Sequence, residues 1–109
     1  MNARAERIGR NEALFREVNE RIRELQEQFT VPPPLEVVCE CGDETCTERL
    51  GVPVDVYEEV RASGDRFVVA PGHVAPDVES VVERHPGFDV LRKDPGGPAQ
   101  LAEATDPRD

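Results

Sequence analysis

The chain has no tryptophan, one tyrosine and four phenylalanines, so aromatics make up only 5% of its 109 residues. A core built on large rings is thereby excluded. With 38% hydrophobic residues, a chain this short closes a modest interior of its own. Long apolar runs are also missing, and none approaches the roughly 18 residues of a membrane span. The first residues, MNARAERIGRNE, carry charge at once and lack the apolar stretch of a secretory leader, so the expected compartment is the cytoplasm. Cations are scarce: 13 Lys and Arg stand against 23 Asp and Glu, a net charge of −10. That balance opposes broad phosphate-backbone binding, which needs clustered Lys and Arg. No H-E-x-x-H, P-loop, G-x-S-x-G, G-x-G-x-x-G or deaminase signature occurs, so no motif names a reaction. The sequence points away from an enzyme.

What is present is unevenly placed. Residues 1–38 hold six Arg and seven Glu, a net of −1, whereas residues 39–109 carry −9. The near-neutral part reads as a long helix within residues 1–30. Ile8, Phe15, Val18, Ile22, Leu25 and Phe29 recur at spacings of three, four and seven, with Asn11 at the one polar position of the seam. This is the a/d pattern of a helix that packs on another surface. The candidate partner-binding residues are therefore Phe15, Val18, Ile22, Leu25 and Phe29. The occupant would be a protein partner or a second copy, unless the seam packs on the chain's own sheet. Thr30-Val31 and the prolines at 31–34 (Pro32, Pro33, Pro34) stop the helix and form a stiff spacer.

Residues 35–93 read as a compact α+β body. Leu35–Cys41 alternates as a strand, Asp55 would cap a short helix over Val56–Ala62, and Phe67–Ala70 is a second strand. Pro71-Gly72-His73 is a turn. Residues 78–93 fit a hairpin around Pro86-Gly87 by β-propensity and turn chemistry, although Val78, Val81 and Val82 also fit a helical period. Residues 94–109, with two adjacent glycines and few large apolar side chains, read as a flexible tail.

The three cysteines, Cys39, Cys41 and Cys46, fall within eight residues as C-x-C-x4-C. An odd number, a strained C-x-C bridge and a reducing compartment all oppose disulfides. Thiolates suit Zn²⁺, and a structural zinc takes four N or S ligands. The fourth candidate is His73 in its tight turn; His85 beside Pro86, Asp43, water or a partner's residue are the alternatives. A structural Zn²⁺ would serve as a staple for a core this small.

The run Cys39-Glu40-Cys41-Gly42-Asp43-Glu44-Thr45-Cys46, the helix from Asn11 to Ile22, Pro71-Gly72-His73 and Asp106-Pro107-Arg108 together resemble a family of small bacterial proteins, chiefly from high-GC Gram-positive lineages. The resemblance implies that His73 joins the three cysteines, and it implies no activity. Gly51-Val52-Pro53-Val54 departs from it, because Pro53 limits pairing where the family has a regular strand. The expectation is a non-catalytic zinc-stabilised interaction or regulatory module. A thiol/zinc redox sensor is the alternative. A nucleic-acid-binding zinc module, resting on Arg4, Arg7 and Arg10, is a weaker one against the net charge.

Overall fold

A computed structural model describes residues 1–108. It has the mixed architecture expected: one long helix, a β-rich body, a short helix and a hairpin. Helix α1 runs from Ala3 to Phe29. At 27 residues it is about 40 Å long and spans the 42 Å long axis of the molecule. Asn2 caps it by accepting from Ala5 N–H at 2.7 Å. Thr30 ends it in the left-handed region, with φ of 54°.

Beyond the prolines, β1 (Leu35–Val38) pairs antiparallel with β2 (Arg49–Val52). β1 alternates as its sequence suggests: Leu35 and Val37 are buried and Glu36 is exposed. β2 is a correction to the reading of residues 51–54. Pairing runs to Val52 and stops there, and Pro53 opens helix α2 (Val54–Arg61). Proline is well placed at a helix start, where its missing N–H costs no bond. Asp55 therefore lies in the first turn and caps nothing.

Strand β3 (Arg66–Val69) lies at one edge of a three-stranded antiparallel sheet. Its neighbour is β5 (Phe88–Lys93), and β4 (Glu79–His85) closes the other edge. Residues 78–93 thus form the hairpin, turning at Pro86-Gly87 with Gly87 at φ 86°. An irregularity between Val81 and Glu83 leaves Val82 exposed. The two sheets meet where Glu40 N–H donates to the Val68 carbonyl at 2.8 Å. The main apolar core lies between them and α2, around Val37, Val52, Tyr57, Val68, Val90 and Leu91.

Residues 94–108 are not a loose tail, and Asp109, the last residue of the expected tail, lies outside the described residues. Helix α3 (Gly97–Ala104) packs along α1. A methyl on Gly9 would stand 2.7 Å from Leu101, so glycine permits that approach. Arg108 then clasps Glu20 at 2.7 Å and Glu58 at 2.7 Å. Low hydrophobicity misled because a single large apolar side chain, Leu101, is joined by polar contacts from distant residues.

α1 does not stand apart from the body either. Its inner face is apolar near the amino end, where Ala5 and Ile8 cluster with Val78, and polar beyond it. Glu12, Arg16, Asn19, Glu20 and Gln26 are buried. Lys93 Nζ donates to Glu12 at 2.6 Å and to Glu79 at 2.9 Å. Arg16 donates to the carbonyls of Gly64 at 2.6 Å and Ala102 at 2.7 Å, with its guanidinium 4.4 Å above the centre of the Phe67 ring. Arg61 pairs with Glu20 at 2.9 Å and also with Asp106.

Candidate metal centre

Hairpin geometry brings the three cysteines together. The extended chain continues past β1, with Cys39 N–H donating to the Glu48 carbonyl at 2.9 Å. Residues i and i+2 of an extended segment share a face, so Cys39 and Cys41 point one way and Glu40 the other. Glu40 turns inward, accepting from Asn19 Nδ2 at 2.8 Å and Val68 N–H at 3.0 Å. The chain then folds back at Asp43. Its carboxylate accepts from Thr45 N–H at 2.9 Å and Thr45 Oγ1 at 2.7 Å, and its carbonyl accepts from Cys46 N–H at 3.0 Å. Those hydrogen bonds from Thr45 hold the Asp43 carboxyl below its ordinary pKa.

His73 arrives from the other sheet. Ala70-Pro71-Gly72-His73 is a tight turn, closed by His73 N–H to the Ala70 carbonyl at 3.0 Å, with Gly72 at φ 83°. Proline second and a positive-φ glycine third suit a type II turn. Asp89 on β5 steadies it by accepting from Gly72 N–H at 3.1 Å. The turn lays Nδ1 of His73 3.6 Å from Cys39 Sγ and 3.7 Å from Cys46 Sγ.

The four ligand atoms of Cys39, Cys41, Cys46 and His73 all lie within 4.8 Å of one another. A tetrahedral zinc with sulfur at about 2.3 Å and nitrogen at about 2.0 Å sets S···N near 3.5 Å and S···S near 3.8 Å. The observed S···N distances of 3.6 and 3.7 Å fit that geometry, and the donor set fits a structural zinc. Burial pushes the Cys39 and Cys41 thiols above their ordinary pKa, so a bound dication is what would favour the thiolates. Ala70 N–H donates to Cys39 Sγ at 3.1 Å, which orients that ligand.

His85 takes no part. Its ring stacks on Phe88 with centroids 4.6 Å apart, and its Nε2 lies 2.8 Å from Glu83. The loop itself rests on α1: Asn11 Nδ2 donates to the Gly42 carbonyl at 3.1 Å, and a methyl on Gly42 would meet Ile8 at 2.6 Å. Asn11, a seam position by its spacing, thus anchors the metal loop. A cleft of about 450 Å³ opens beside the centre, between Arg4, Arg7, Cys41 and His73.

The seam residues part company. Val18, Leu25 and Phe29 are 40%, 51% and 66% exposed, whereas Phe15 and Ile22 are half-buried. Leu14, outside the predicted set, is 60% exposed. Asn19, Glu40 and Asp89, which hold the centre's supports, escaped notice. A signal for the first existed: Glu12, Asn19 and Gln26 recur every seven residues along one flank of the apolar stripe. No helix is long and apolar enough to cross a membrane. No family model, curated protein or solved structure matches the chain.

Proposed function

We propose that the chain is a non-catalytic, zinc-stabilised protein-interaction module, in which α1 is the docking element. The observation that carries the zinc half is the meeting of four N and S donors within 4.8 Å of one another, from a hairpin loop and a separate turn. Four protein ligands leave no open position for a substrate or an activated water. The ion ties the β1–β2 hairpin to the sheet that carries β3, supplying cross-linking that a small core needs.

The docking half rests on Leu14, Val18, Leu25 and Phe29, which α1 turns outward, while Glu12, Arg16, Asn19 and Glu20 face the body. Two other readings lose ground on the same geometry. Cys39 and Cys41 are 2% and 4% exposed, which hinders a thiol sensor. Arg4 is paired with Asp77 and Arg10 with Glu6, so the Arg4, Arg7, Arg10 stripe is largely neutralised.

Elemental analysis of the purified chain tests the zinc half. One zinc per chain is expected, lost on Cys39→Ser and on His73→Ala and retained on His85→Ala. A chain purified without metal, and unable to take up zinc, would end this reading.

A further inference from the structure

The outer face of α1 is self-complementary. Leu14, Val18, Leu25 and Phe29 fall within about 60° of one another round the helix, with Ile22 at the inner edge of the stripe, half-buried against the core, and the buried Glu12, Arg16, Asn19 and Glu20 lie about 140° away. The charges beside the stripe follow a gradient. Arg7 and Arg10 stand at the amino end and Glu24 at the carboxyl end, with Glu17 and Arg21 between. A parallel pair of such helices would set like charges together. An antiparallel pair sets each against its opposite.

Resting on α1 as the docking element, we propose that the occupant of this face is a second copy of the chain, paired antiparallel about a twofold axis at Val18. That register places Val18 against itself and Leu14 against Ile22 of the second copy. It also sets Glu17 opposite Arg21 twice and Arg7 by Phe29. A symmetric dimer requires such a self-matching patch. The location is favoured by net charge as well. Residues 1–38 carry −1 and residues 39–109 carry −9, so α1 is where two acidic molecules meet with least repulsion. From Arg7 to Phe29 the contact would run about 33 Å.

The experiment is sedimentation of the zinc-loaded full chain across a wide concentration range, with zinc content and helicity measured on every variant. A concentration-dependent dimer is expected. Leu14→Glu counts twice at a symmetric interface, and the dissociation constant should rise at least about 100-fold. Arg21→Glu should weaken the dimer, and adding Glu17→Arg to it should restore the affinity. Orientation is read by oxidising mixed Leu14→Cys and Ile22→Cys chains. Cross-links between unlike chains support the antiparallel register, and cross-links only between like chains overturn it. A chain that stays monomeric with one zinc bound overturns self-pairing and leaves the module reading standing. A dimer with no metal overturns the zinc module and leaves the pairing intact.

Discussion

The interior has two regions that cohere by opposite means. Beneath the sheets it is apolar: Val37, Val52, Tyr57, Val68, Val90 and Leu91 are all at most 1% exposed. Between α1 and that body it is polar, with Glu12, Arg16 and Asn19 equally buried. An apolar contact tolerates exchange between side chains of similar volume. A polar one holds only while each group keeps its partner. Sliding α1 by one turn would strand Lys93, Asn19 and Arg16 together, so the polar side fixes position. It also leaves Leu14, Val18, Leu25 and Phe29 free to face outward.

Removing the proposed zinc should give the largest effect, because it would tie the β1–β2 hairpin to the sheet that carries β3. Structural zinc in small domains contributes binding free energy of about 10–16 kcal/mol, against a total stability of about 5–15 kcal/mol for an ordinary domain. Chelation should therefore abolish cooperative unfolding, as followed by circular dichroism. An apo chain that melts at the holo temperature would show that the polar contacts and apolar core suffice. Next comes Lys93→Met, which leaves Glu12 and Glu79 facing each other in the interior. Breaking a buried pair in this way costs about 3–5 kcal/mol. Leu91→Met, a similar-sized change one region away, should cost less than about 1.5 kcal/mol. Equal losses in urea unfolding would erase the distinction between the two regions.

The elements that announced themselves did so through local chemistry. The helix stop at Thr30 and the prolines, the Pro71-Gly72 turn, the Pro86-Gly87 hairpin and the cysteine cluster each depend on a few adjacent residues. β2 escaped because Pro53 was weighed as a strand breaker, when its place is at the start of the next helix. α3 escaped because what holds it comes from far along the chain: Arg16 bonds the Ala102 carbonyl across 86 positions. The direction of α1 was hidden for the same reason. An apolar stripe says which face is greasy, and only the partners of Glu12, Asn19 and Glu20, scattered from residue 38 to residue 108, decide which face goes in.

Asn19→Ala is a more local probe of the polar region. Asn19 pairs with both backbone groups of Val38, at 2.8 Å each, and with Glu40 at 2.8 Å. Truncation strands those groups, at about 1–3 kcal/mol. Amide exchange should locate the loss at Val38 and beside the metal loop, with β4 and β5 unaffected. Loss spread evenly over the molecule would mean that the apolar and polar regions unfold as one unit.

The smallest effect expected at neutral pH is that of Glu12→Gln, and it tests what kind of polar region this is. Burial lifts the Glu12 carboxyl from 4.5 to about 9, Glu79 adds to the rise, and Lys93 opposes it. A carboxyl whose folded pKa is raised supports the fold below its unfolded pKa and loses that support as pH climbs to the folded value. The wild-type chain should thus shed stability between about pH 4.5 and pH 9 through this group. Glutamine keeps the size and an acceptor for Lys93, so the variant should lie within about 1.5 kcal/mol of wild type at pH 6 and gain on it towards pH 9. Both proteins need saturating zinc, because rising pH by itself strengthens thiolate binding. Parallel pH profiles would show Glu12 ionised throughout, and the contact with Lys93 would then be an ordinary buried ion pair. Diverging profiles would show that α1 is held by a neutral acid beside a single Lys93–Glu79 pair, which makes the polar region less costly to bury than its formal charges suggest.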